Sequence, residues 1–181
     1  MKKILRVLAV AVFSIILVAG TAMAIPINGS ISFGGNATID FAIPSATQFT
    51  SFSSVITGNG STGDYFGIPS AIPTTFTPFA FSATSVVPLW TLTTGGVTYS
   101  FDATSINVAQ SSSPLLLSVW GDGIANISGG GFDPSPGEWS ITTQGGQTTV
   151  TFSSYTAVPE PASMLLLGLG LLGIGLVSRK K

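Results

Sequence analysis

The chain of 181 residues has no cysteine and no histidine, and only 7% of its residues are charged, against roughly 25% in an ordinary soluble domain. All six basic residues stand at the ends: Lys2, Lys3 and Arg6 at one, Arg179, Lys180 and Lys181 at the other. From Ile25 to Ala157 there is no cation, while Asp40, Asp64, Asp102, Asp122, Asp133 and Glu138 give that stretch a charge of −6. Each absence excludes a chemistry. Zinc sites built from Cys and His cannot form, nor can Ser-His or Cys-His nucleophile pairs. A central stretch without Lys or Arg cannot neutralise phosphates, which excludes nucleic-acid binding and leaves phosphoryl transfer without its usual counter-charge. No disulfide can staple the fold. Nothing in the sequence calls for a cofactor.

What is present is concentrated at the two ends. Lys2, Lys3 and Arg6 form a positive opening, Val7 to Val18 is apolar apart from Ser14, and Ala22-Met23-Ala24 places small residues where a signal peptidase inspects them. This pattern predicts a secretory signal peptide over residues 1–24, cut between Ala24 and Ile25. The competing reading is an uncleaved anchor helix. At the other end Val158-Pro159-Glu160-Pro161-Ala162-Ser163 precedes an uncharged apolar run, Met164 to Val177, and Ser178-Arg179-Lys180-Lys181 closes the chain. From Ala162 to Ser178 there are 17 residues, just short of the ~20 that span a bilayer comfortably. The positive-inside rule keeps Arg179, Lys180 and Lys181 on the cytoplasmic side, with the body outside.

The succession of Pro-Glu-Pro, short apolar helix and basic tail resembles the PEP-CTERM sorting signal of exported proteins in exopolysaccharide-making Gram-negative bacteria. The resemblance covers Val158 to Lys181. It implies an exosortase-type enzyme as processing partner, cleavage near Pro159-Glu160-Pro161, an inner-membrane-anchored precursor, and delivery of the body to the envelope surface or extracellular matrix. A plain single-pass anchor leaves the Pro-Glu-Pro unexplained. A sortase signal lacks its Leu-Pro-x-Thr-Gly motif here, and a GPI signal lacks its polar spacer. Gly168, Gly170 and Gly173 match a dinucleotide-binding spacing, but inside an apolar helix rather than a βαβ unit. There such small residues permit close helix approach.

The body, residues 25–157, contains 41 Ser and Thr and 17 aromatic residues. β-Branched and aromatic residues favour strands, and Gly, Pro and Asn supply turns. Apolar and polar residues alternate at Ile39-Phe41-Ile43, Val97-Tyr99-Phe101, Ile106-Val108, Trp139-Ile141 and Val150-Phe152. Turn signals fall at Gly34-Gly35-Asn36, Gly58-Asn59-Gly60, Gly95-Gly96 and Gly145-Gly146, and two hairpins are expected, over 92–97 and 141–150. About nine to eleven strands at spacings of roughly 8–12 residues predict an all-β, antiparallel β-sandwich of jelly-roll type. A β-helix lacks a fixed repeat, and disorder fits poorly with so many aromatics. The expected organisation is thus a signal helix (1–24), a β-sandwich body (25–157) and a sorting tail (158–181) with a transmembrane helix.

Three candidate sites remain in the body. Asp122, Asp133 and Glu138 lie in acidic, turn-rich segments that offer calcium its oxygen ligands, or merely shape turns. Paired carboxylates for glycoside hydrolysis are the only enzymatic option left, with Asp133 or Glu138 facing Asp102 or Asp122 across a sheet. Trp90, Trp120 and Trp139, with the tyrosines, are either stacking platforms for sugar rings or core residues, and the alternation around Trp90 and Trp139 favours the core. Asn28, Asn36, Asn59 and Asn126 begin Asn-x-Ser/Thr triplets, which so hydroxyl-rich a chain contains by chance. The sequence therefore points to a non-enzymatic surface or matrix protein associated with exopolysaccharide, with a sugar-binding module as the alternative.

Overall fold

The computed structural model describes residues 25–144. The expected signal helix, the Gly145-Gly146 hairpin, the Val150-Phe152 strand, the Pro-Glu-Pro motif and the apolar tail lie outside them. The strands are β1 (Ile25–Pro26), β2 (Phe33–Ile39), β3 (Gln48–Thr57), β4 (Thr75–Phe76), β5 (Phe79–Ala80), β6 (Val86–Thr94), β7 (Val97–Ala103), β8 (Asn107–Ser112), β9 (Leu115–Ile127), β10 (Phe132–Asp133) and β11 (Ser135–Gln144). A single 3-10 turn, Gly63–Tyr65, is the only helical element among the described residues. None of their helices is long and apolar enough to cross a membrane.

The larger sheet runs β11-β9-β7-β6-β4, with β8 also paired to β9, and all of its pairings are antiparallel. A smaller antiparallel sheet runs β2-β3-β5, and β1 pairs with β10 in parallel. The expectation of an all-β, antiparallel body therefore holds. Consecutive strands are neighbours at β2–β3, β6–β7 and β8–β9. β6 and β7 are joined by Gly95-Gly96 alone, and a two-residue loop forces consecutive strands to be neighbours. Both glycines have positive φ, 58° and 77°, as the tight turn between right-twisted strands requires. That hairpin is the one expected over 92–97.

Alternation decides which side chains meet. Phe33 of β2 packs on Trp90 of β6 with ring centroids 5.0 Å apart, and Phe79 of β5 meets Trp139 of β11 edge-on at 5.8 Å. Phe33 and Phe52 both touch Phe76 of β4. The small sheet thus lays its apolar face over one face of the large one. The shared core includes Ile27, Phe49, Leu92, Phe101, Leu117, Val119 and Ile141. Each such ring pair adds about 0.5–1.5 kcal/mol beyond the area it buries. Gln110 of β8 ties the layers together: its amide donates to the Ala46 carbonyl (2.8 Å) and accepts from the Ala46 N–H (3.1 Å).

Two local expectations fail for identifiable reasons. Ile39-Phe41-Ile43 is not one strand, because β2 ends at Ile39 and Phe41 is 62% exposed. Asp40 ends it: its carboxylate accepts hydrogen bonds from the N–H groups of Phe41, Thr47 and Gln48 and from the Thr47 hydroxyl, closing the loop back onto β3. Gly34-Gly35-Asn36 is not a turn but an irregular stretch inside β2. A side chain at Gly35 would collide with Val55 of the paired strand, so the glycine serves close backbone approach.

Candidate functional site

β9 is the strand around which the candidate site is built. Its odd residues Leu117, Val119, Gly121, Gly123 and Ala125 are buried, while Ser118, Trp120, Asp122, Ile124 and Asn126 share the opposite face. One edge of β9 pairs with β11 along its length; the other pairs with β8 over its first half and with β7 over its second. Thr104-Ser105-Ile106 makes the step from β7 to β8, and it crosses β9 closely. A Cβ on Gly121 would run into the Ser105 carbonyl, and one on Gly123 into the Phe101 ring and the Asp102 carbonyl. Gly121-Asp122-Gly123 is therefore strand interior and not the loop expected from its composition.

Asp122 is fastened at this crossing. Its carbonyl accepts from the N–H groups of Thr104 (2.9 Å) and Ser105 (3.3 Å) and from the Trp139 indole (3.2 Å). Its own N–H donates to the Ser105 hydroxyl, which in turn donates to the Asp122 carboxylate at 3.0 Å. The side chain is left on the outer face, directly across from Glu138 of β11. Opposed residues of an antiparallel pair have Cβ atoms about 4.5–5.5 Å apart, so two carboxylates are neighbours there.

Two register positions along, on the same face, Trp120 stands between Asn107 of β8 and Ser140 of β11, and it is 41% exposed. Trp120, Asn107, Ser118, Asp122, Glu138 and Ser140 border an open hollow of about 600 Å³ on the outer face. A second hollow of about 400 Å³ continues past Asp122 and Glu138 toward Thr104 and Pro136. The arrangement offers one aromatic face, amide and hydroxyl groups, and a paired negative charge.

The three tryptophans thus separate. Trp90 is fully buried and Trp139 is 2% exposed, so the structure removes both from any stacking role. Trp120 is the one that reaches solvent, and the signal lay in its phase: it alternates in step with Ser118 and Asp122, not with Leu117 and Val119. Of the expected calcium ligands, Asp122 and Glu138 come together, whereas Asp133 lies in β10 opposite Pro26. No group of three or more acidic side chains that could hold a metal occurs among the described residues. Asp102 is engaged by the Asn126 amide at 3.2 Å. Ile25, the expected first residue after signal cleavage, is exposed and begins β1.

A protein-family model, the PEP-CTERM protein-sorting motif, matches residues 157–181. Comparison with curated proteins and with solved structures gave no match. The chain therefore carries a PEP-CTERM sorting motif, which marks an exported protein processed by an exosortase-type enzyme.

Proposed function

We propose that this chain is a non-catalytic component of the cell surface or extracellular matrix, made as a precursor that is cut twice. Signal peptidase removes residues 1–24 after Ala24. The apolar tail then holds the precursor in the inner membrane with Arg179, Lys180 and Lys181 inside. The exosortase-type enzyme cuts near Pro159-Glu160-Pro161 and releases the body to the surface, in association with exopolysaccharide. The observation that carries this reading is the sorting motif at residues 157–181. The chemistry at both ends is thus performed on the chain and not by it.

Mass spectrometry of the mature protein from its host, with and without the exosortase-type enzyme, tests it. The expected product begins at Ile25 and lacks Arg179, Lys180 and Lys181 only when the enzyme is present. A mature protein that keeps its basic end in the presence of the enzyme overturns the sorting reading and leaves a single-pass anchored protein.

The hollow beside Trp120 supports a second reading, that the body binds saccharide. An exposed indole supplies a flat apolar face for a sugar ring, and polar side chains on either side supply hydrogen bonds to hydroxyls. Replacing Trp120 by Ala and measuring retention of the protein on the host's exopolysaccharide tests this reading; unchanged retention overturns it.

A further inference from the structure

Resting on the saccharide-binding reading, we propose that the Trp120 groove selects a glycan bearing protonated amino groups, of the glucosamine type, over neutral and acidic ones. The argument starts from the paired charge. Asp122 and Glu138 face each other across β9 and β11 on the solvent side. Like charges directly opposed on a sheet are destabilising. No Lys, Arg or His occurs anywhere in residues 25–144 to offset them. Among the described residues, the one side chain donating to either carboxylate is the neutral Ser105 hydroxyl, on Asp122. A cation supplied by a ligand would relieve this repulsion and gain two charge-assisted hydrogen bonds.

The groove tells which cation. A calcium ion takes six to eight oxygen ligands. Here it would find two carboxylates on the outer face of a sheet, and the Asp122 carbonyl already accepts three hydrogen bonds. No third acidic side chain completes a metal-binding group among the described residues. Trp120 contributes nothing to a metal ion, but two register positions from the carboxylate pair and on the same face it fits a pyranose ring whose ammonium group reaches Asp122 and Glu138. An indole face also attracts such a cation directly. Asn107 and Ser140, on either side of Trp120, add hydrogen bonds to ring hydroxyls. The same negative pair repels an acidic polysaccharide.

The experiment uses the full chain in detergent and titrates it with hexamers of glucosamine, N-acetylglucosamine, glucose and mannuronate, at mildly acidic pH and low salt. Binding is read by tryptophan fluorescence, where the exposed Trp120 responds, and by calorimetry. The glucosamine hexamer is expected to bind roughly tenfold or more tighter than its N-acetylated form. Salt should weaken that preference, and Glu138→Gln should abolish it while binding of the neutral hexamers persists. Asp122→Asn keeps a carbonyl for Ser105 and should act in the same direction, and circular dichroism checks that both variants fold. Trp120→Ala should weaken every hexamer. Equal affinity for the amino and N-acetylated hexamers overturns the selectivity and leaves the saccharide reading standing. Absence of binding to all four overturns both. Calcium binding lost in Glu138→Gln, without glycan binding, overturns the proposal in favour of a metal ion.

Discussion

Trp139 and Trp120 sit one register step apart on neighbouring strands and face opposite ways. The first is sealed against Phe79 with its indole N–H donated to the Asp122 carbonyl. The second stands 41% exposed among Asn107, Ser118 and Ser140. The same residue type thus serves two ends, and the pleat alone assigns them. The inner face of the β9–β11 ladder is wholly apolar or glycine up to Ser135 and Thr143, and the outer face carries both of its carboxylates. The apolar face supplies the buried core, which leaves the other free to carry polar and charged groups.

The contrast has sharp consequences. Trp139→Ala should cost about 3–5 kcal/mol in unfolding free energy, as removal of a large buried ring does, measured by urea denaturation. Next in size is Gly121→Ala, where the new methyl meets the Ser105 carbonyl backbone and should cost about 1–3 kcal/mol. A neutral outcome there would mean that the β7–β8 step can move away, and that the outer face is less rigid than its hydrogen bonds imply. Gln110→Ala strips both partners from the buried Ala46 backbone and should cost about 1–2 kcal/mol, read as a lowered urea midpoint. Trp120→Ala should change stability by about 0.5 kcal/mol or less. A loss there comparable to that of Trp139→Ala would erase the distinction between the faces.

Acid provides a smaller test. Desolvation pushes the Asp40 carboxyl up, but the hydrogen bonds from Thr47, Gln48 and Phe41 outweigh it and hold the group below the ordinary 3.8. A depressed folded value contributes stability that is present above the unfolded value and lost as pH falls through the folded one. Wild type should therefore exceed Asp40→Asn in stability at neutral pH, and the gap should close as pH drops below 3.8. Thermal melts of the two proteins across that range read the effect.

How much of the molecule is legible in its sequence follows from the range of each interaction. The Gly95-Gly96 hairpin is readable because a two-residue turn is a local matter. Trp90 and Trp139 are readable as core because alternation with polar neighbours encodes burial. The strand role of Gly34, Gly35, Gly121 and Gly123 is not, since a glycine demanded by a strand or loop crossing from elsewhere looks the same in sequence as one demanded by a turn. For the same reason the composition around Asp122 suggests a loop. Its pairing with Glu138 depends on the β9–β11 register, sixteen positions apart in the chain. Trp120 carries a usable signal in its phase with Ser118 and Asp122, which aromatic content alone obscures. The sorting tail is the most legible segment, because an enzyme reads it as a linear order of features.

The parallel pairing of β1 with β10 has a mechanical meaning. β1 opens the described body and lies beside the residues that lead directly into β11, while β11 runs from there to Gln144. Ile27, just after β1, also donates its N–H to the buried Ser135 hydroxyl at the head of β11. A pull on the Gln144 end is directed along β11, over the ten-residue register that it shares with β9, whereas a pull on Ile25 meets only the two-residue pairing of β1 with β10. Ladder bonds loaded in this way must slip together, whereas strands pulled sideways come away bond by bond. β11 is strung in the direction in which a sheet best resists being pulled apart.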